Sequence, residues 1–342
     1  MKRHHLTPVL LAAVYWQGAA GAGAQNAGVN LEQAEGVKRR QAAGQLLKDA
    51  ALQGGGTAEM FAGEATDLGP QSILQIKPRR ELFDVILDSQ FFHTSNMFLE
   101  EDAGGVHPTS ATLLVSTMEA AFAPASIPYG QGRLAPRAGF RYQWFNYGLG
   151  QASRHLGDFD FDSQTVFGEL RYTFGEHWAA NFGFDWNVLY AHTPAYFDYP
   201  QTYRAYVPRW GLERRFALSE SKVFTVAYSG NLSYTDTPMN PQRDINNRTD
   251  QALLVSYAHA LTPKILVQPY YRFQFTHYSH YPGPKQRNDL LNTFGLGLNY
   301  FFNDRSGVRA FANYDIKESS APDVADYRKF DAGGGLNLFF RF

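Results

Sequence analysis

The chain has 342 residues, 15% of them aromatic, no cysteine, and a formal net charge of -1. That length allows one large domain or two ordinary ones. A near-neutral balance leaves no basic excess to neutralise phosphates and argues against a nucleic-acid partner; the lack of cysteine excludes disulfides and thiolate metal sites.

Residues 1–24 read as a cleaved signal segment. MKRHH is its basic start, LTPVLLAAVYW its short apolar stretch, and Ala22-Gly23-Ala24 its small-residue cleavage site. The apolar run is about half of the ~20 residues a membrane helix needs. Gln25 follows the cut where a lipid anchor would require cysteine. Residues 25–80 form a second region. LEQAEGVKRRQAAGQLLKDAALQ reads as a helix, weakened by Gly36 and Gly44, and is expected to lie in the periplasm. A glycine- and proline-punctuated linker follows it.

From residue 81 the period changes to two. Alternating segments are expected near 81–96, 109–124, 136–150, 161–175, 178–193, 203–218, 222–237, 248–261, 264–280, 288–302, 307–318 and 327–342. They number about twelve and are longer than the ~5–6 residues usual in soluble sheets. Their connections alternate as well. GEHW, LSESK, LTPK and NDRSG are tight, whereas EEDAGGVHP, QASRHLGDFD, TPAYFDYPQ, TPMNPQRDINNRTD, YPGPKQ and SSAPDVAD are long and polar. SIPYGQGRLAP breaks the rule, being long on the short-turn side.

The two faces of each segment differ. Over 288–302, Leu290, Phe294, Leu296, Leu298, Tyr300 and Phe302 oppose Thr293, Gly295, Gly297 and Asn299. Over 222–237, Phe224, Val226, Tyr228, Leu232 and Tyr234 oppose Thr225, Ser229, Asn231 and Ser233. Twelve strands closed with such an apolar face inward could not bury so many large aromatics. The apolar face therefore points to lipid, with Tyr172, Phe174, Trp186 and Tyr300 at girdle positions. The expected fold is an all-β transmembrane antiparallel up-and-down β-barrel of about 12 strands over 81–342.

The chain ends in GGGLNLFFRF, still alternating at Phe342, with no polar tail. An open sheet edge in hydrocarbon leaves backbone groups unpaired, so this last segment should pair with the first. Its pattern, with Leu338, Phe340 and Phe342 on one face, resembles the C-terminal signature of Gram-negative outer-membrane β-barrels. That resemblance implies the bacterial outer membrane as location, its lipids and lipopolysaccharide as surroundings, and recognition of the last strand by the barrel-assembly machinery.

Within FFHTSNMF, His93-Thr94-Ser95-Asn96 resembles the His-x-Ser-Asn motif of outer-membrane phospholipase A and the lipid A deacylase. The resemblance implies Ser95 as nucleophile and His93 as its base. Residues i and i+2 share a strand face, so the imidazole could reach the hydroxyl. The families' orienting Asn or Glu would fall near His107, where there is no acid or amide, and the expectation is of no enzyme. The other candidate is the lumen. Inward parity collects Arg141, Arg171, Arg209, Arg215, Arg272 and Arg309 with Glu119, Glu169, Asp185 and Glu213, besides Asp84, Asp88, Asp315, Lys317, Lys329, Asp331 and Arg341. Inward Gly295, Gly297, Gly333 and Gly335 fit wall curvature, or space for solute or for the N-terminal segment. His277 and His280 fall on opposite faces and cannot share an ion; the acidic run 158–162 reads as a solvated loop, and no cofactor is expected. The leading functional reading is a passive pore for small polar or anionic solutes. A closed structural barrel is the runner-up, and a lipid-acting hydrolase using His93 and Ser95 the third.

Overall fold

The computed structural model describes residues 29–38, 82–101, 107–149, 156–191, 200–238, 240–303 and 305–342. The proposed signal segment and most of the linker lie outside them. Thirteen strands form one sheet: β1 (Phe83–Thr94), β2 (Ala111–Phe122), β3 (Ile127–Tyr129), β4 (Gly132–Tyr147), β5 (Phe161–Phe174), β6 (Trp178–Ala191), β7 (Gln201–Ser219), β8 (Lys222–Asp236), β9 (Arg248–Thr262), β10 (Ile265–Tyr278), β11 (Asn288–Asn303), β12 (Ser306–Ser319) and β13 (Tyr327–Arg341). Twelve of them are long and pair antiparallel with their chain neighbours. β1 also pairs with β13, and β2 with β4, so the wall closes.

The three-residue β3 accounts for the irregular SIPYGQGRLAP link. It folds back on β4 as a hairpin, turning at Gly130 with φ 56°, a left-handed backbone that glycine adopts without steric cost. β4 accordingly starts at Gly132, earlier than the alternation from 136 suggested.

Closure is set by register. Val85 faces Phe340, Leu87 faces Leu338, and Asp84 faces Arg341 across the β1–β13 seam. The seam runs to the last residue: Phe342 N–H donates to Phe83 O at 2.9 Å, and Leu82 N–H to Phe342 O at 2.6 Å. Backbone pairing thus continues to the end of the last strand, which is what hydrocarbon demands.

Outward parity carries the exposed apolar surface. Phe182, Phe184, Trp186, Phe294, Leu296, Leu298 and Leu336 are all exposed. Towards the tight-turn end, Tyr172, Phe174 and Trp178 stack in series. Such a belt suits the membrane–water interface.

One element stands apart from the wall. Residues 29–38 form an α-helix, α1. It packs inside the barrel rather than in the periplasm, with Leu31, Ala34 and Val37 in one cluster with Phe92, Phe145, Phe161 and Tyr203. Those four wall residues sit at inward positions near the long-loop ends of β1, β4, β5 and β7. Among the described residues no helix is long and apolar enough to cross a membrane.

Candidate pore and its internal plug

The lumen is built by parity. Within each strand, every second residue turns inward, and register carries that face from strand to strand. All the ionisable residues expected inside are on that face. They stand in clusters, none alone.

Near the tight-turn end, Glu119 accepts from Arg141 Nε at 2.6 Å and also from Arg137. Glu213 likewise serves two guanidinium groups, Arg171 at 3.4 Å and Arg215. Each of these carboxylates is shared by two guanidinium groups, and Arg137 also lies 3.9 Å from Asp84 and 3.8 Å from Glu169. Arg209 donates to Glu169 at 2.9 Å and to Asp185 at 3.0 Å. Lys329 lies 3.5 Å from Asp315 and 3.4 Å from Asp331. Arg309–Asp88 and Arg341–Asp84, both at 2.7 Å, are matched pairs. Lys317 approaches Asp289 at 3.2 Å, and Arg272 donates to Gln274 at 2.5 Å. Alternation was enough to find the arginines, but not their sharing of acids, which depends on cross-strand register.

Four participants were not anticipated: Arg137, Arg248, Asp250 and Asp289 also face inward. Arg248 is almost fully buried; it donates to Asp250 at 3.0 Å and to Glu35 of α1. Three residues on, in the same last turn, Lys38 Nζ donates to Asn187 Oδ1 at 2.8 Å, and Thr165 Oγ1 donates to the same oxygen at 2.8 Å. α1 is thus fastened at two charged points and one apolar stripe. Between it and the wall lies a cavity of about 170 Å³, lined by Lys38, Asp185, Asn187, Arg209, Asn231 and Arg272 among others. Gln33 is fully buried, and among the described residues its amide finds no partner on either atom.

The glycines serve the wall. A Cβ on Gly333 would sit 2.3 Å from Phe91 O and 2.4 Å from Phe92 Cβ; one on Gly295 would strike the Tyr270 ring at 2.1 Å. A Cβ on Gly335 would meet Ser89 O at 2.5 Å. These positions make room for neighbouring strands and rings, while Gly297 has only ordinary contacts.

The His-x-Ser-Asn stretch lies at the long-loop end of the β1–β13 seam. His93 is exposed on the outer face, and its register partners are Thr112 and Ala332. Ser95 Oγ accepts from Phe330 N–H at 2.8 Å, and Ser95 N–H donates to Phe330 O at 2.9 Å. Asn96 is fully buried: its amide donates to Glu100 O at 2.7 Å and to Arg328 O at 3.2 Å, while its oxygen accepts from Glu100 N–H at 2.9 Å. Ser95 and Asn96 close the long-loop end of the β1–β13 seam. His277 Nδ1 contacts Asn288 Oδ1 at 2.8 Å and His280 Nδ1 contacts Asp244 at 2.8 Å, so the two imidazoles have separate partners. In the acidic run, Asp160 accepts from Tyr147 N–H and Asp162 from the Tyr142 hydroxyl.

The closed wall, apolar outside and ion-paired inside, with short turns at one end and long loops at the other, defines an outer-membrane β-barrel. One solved structure agrees on the fold, and two others are similar more loosely. An outer-membrane channel from Pseudomonas putida F1 aligns over 76% of this chain and 96% of its own, at 10% identity and a TM-score of 0.50. The β-domain of the Bordetella autotransporter BrkA aligns over 76% and 100%, at 18% identity and a TM-score of 0.42. The translocator domain of the autotransporter NalP from Neisseria meningitidis aligns over 92% and 99%, at 12% identity and a TM-score of 0.40. The sequence matches no protein-family model and no curated protein.

Proposed function

We propose that the barrel is a passive pore for small polar solutes, anions included, and that α1 is its internal plug. One observation carries the reading: the lumen holds an entire α-helix beside its own side chains. A helix with its side chains is about 10–12 Å across. A barrel built only as a scaffold would fill that space from its wall, as eight-stranded barrels do. Here the helix fills the long-loop half. Towards the other half the inward Ser229 stays exposed, and ion pairs rather than apolar contacts line the path. A polar wall of that kind suits hydrated solutes.

The test is single-channel recording of the full mature chain and of a variant lacking residues 29–38. Rare or brief openings in the first, and long-lived openings in the second, are expected. Silence in both, with heat-modifiable folded protein confirmed, would leave the closed structural barrel as the better account.

A further inference from the structure

A pair of guanidinium groups sits outside the barrel, where no role in the lumen can explain it. Arg204 and Asp236 are register partners on β7 and β8. Their neighbours Tyr203 and Thr235 face inward, so they face out. Arg204 donates to Asp236 Oδ2 at 2.7 Å. Arg243, from the loop that follows β8, grips the same carboxylate twice, at 2.6 and 2.7 Å. One carboxylate thus holds two guanidinium groups, leaving one net positive charge. The neighbouring Asp244 is taken by His280. Among the described residues Arg204 Nε is buried without a partner, and the Arg243 side chain is 60% exposed.

The height of this pair is set by the aromatics below it. Tyr206 and Tyr234 are register partners two residues further into β7 and β8, both exposed, with exposed Trp186 opposite Tyr206 on β6. Ten residues further along β7, Phe216 pairs with Phe224 near Trp178 and begins the opposite belt. At about 3.4 Å per residue and a tilt of about 45°, the belts are ~24 Å apart along the membrane normal. That matches the ~25 Å apolar band of such barrels. Arg204 stands ~5 Å above the outer belt by the same reckoning, at the level of lipid headgroups.

The loop carrying Arg243 is held in place. Thr237 N–H donates to Arg243 O at 2.7 Å, and Asn247 Oδ1 accepts from the Thr235 hydroxyl at 2.9 Å. Two oriented guanidinium forks above an aromatic shelf match a phosphate above acyl chains, since guanidinium binds phosphate through paired N–H donors.

We propose that Arg204 and Arg243 bind the phosphate of an outer-leaflet phosphoglycolipid, whose chains descend over Tyr206, Tyr234 and Trp186. Asp236 acts as a positioning residue that holds the two forks side by side. The site rests on the outer-membrane reading, with the long loops outside, and does not depend on the lumen being a pore.

The experiment measures, by native mass spectrometry, lipid A retained by the purified, folded full mature chain in detergent. Bisphosphorylated lipid A is compared with the same lipid stripped of phosphate. Wild-type protein should retain the phosphorylated form preferentially. The Arg204→Gln/Arg243→Gln variant should lose roughly ten-fold in retention, as expected when charge-assisted bonds are removed. Arg214→Gln, whose guanidinium lies over Trp178 and Phe216 at the opposite belt, should behave as wild type. The Arg204→Lys/Arg243→Lys pair keeps charge but not the forks, and should fall between; it carries the test if the glutamine pair fails to fold. Equal retention of both lipids by wild type, or lysine variants equal to wild type, would overturn the assignment. So would complete release of the phosphorylated lipid by inorganic phosphate, which would mark a site for the free ion.

Discussion

Gln33 is a buried amide on a helix that is otherwise well fastened. A buried polar group without a partner costs about 1–3 kcal/mol, so the plug is held less firmly than its apolar stripe and two charged contacts would allow. Gln33→Leu should remove that cost and tighten the seat. The expected outcome is a several-fold lower open probability in planar bilayers with unchanged conductance of each opening. A higher open probability would show that the amide helps to hold the plug. Ser95 makes the opposite case. Its hydroxyl accepts from Phe330 N–H at the seam, so Ser95→Ala should lower barrel stability by about 1 kcal/mol in denaturant titration. It should leave phospholipid hydrolysis at background in both proteins. Fatty-acid release that vanishes with Ser95 would instead make His93 and Ser95 a catalytic pair.

At the scale of elements, strands and helix differ in how much the sequence reveals. A transmembrane strand must present apolar residues to lipid at every second position, so alternation located the twelve long strands to within a few residues. β4 was the exception, because Gly132–Arg137 alternates weakly before the aromatics begin. α1 was harder, since Leu31, Ala34 and Val37 make a narrow stripe that could suit several partners. The informative signal lay elsewhere. Phe92, Phe145, Tyr147, Phe161 and Tyr203 are apolar on the inward, otherwise polar face, all near the long-loop ends. Inward aromatics of that kind call for an apolar occupant of the lumen. The pairing of α1 with the wall gives a direct test, and the absence of native cysteine makes it clean. Lys38→Cys with Asn187→Cys, bridged by a bifunctional thiol reagent, should hold the channel closed; a cleavable bridge should restore openings when cut. Unaltered openings in the bridged protein would place the conducting path away from the helix. The last strand carries its own consequence. Phe342 makes backbone bonds to Leu82 and Phe83, and deleting it should reduce the heat-modifiable barrel recovered from outer-membrane fractions.

For the whole molecule, what matters is how charge is distributed along the path. Parity places ionisable residues on the inward face, because side-chain direction in a strand has a period of two, although Arg137, Arg248, Asp250 and Asp289 went unread. It could not show that Glu119 and Glu213 are each shared by two arginines, since sharing follows from how neighbouring strands are offset. Arg137 links the Glu119 cluster to Asp84 and Glu169, and Glu169 links it to Arg209 and Asp185, so these charges form one connected network. A narrow path between low-dielectric walls focuses such a field; the inward arginines and lysines slightly outnumber the inward acids, so with α1 removed the pore should prefer anions, modestly. The preference should fade as salt rises, since the screening length drops from ~10 Å at 0.1 M to ~3 Å at 1 M. Replacing Arg141 and Arg171 by Glu would make acids outnumber bases on the inward face, and the reversal potential should move to the cation side. Breaking a buried pair by removing one partner can cost about 3–5 kcal/mol. Folded yield is therefore measured alongside, and Arg209→Gln serves as the contrasting variant: it takes that partner from Asp185 and leaves Glu169 to Arg137, and should shift the potential the same way by less. A reversal potential indifferent to all three substitutions, in folded protein that conducts, would mean that the ions pass along a route these clusters do not line.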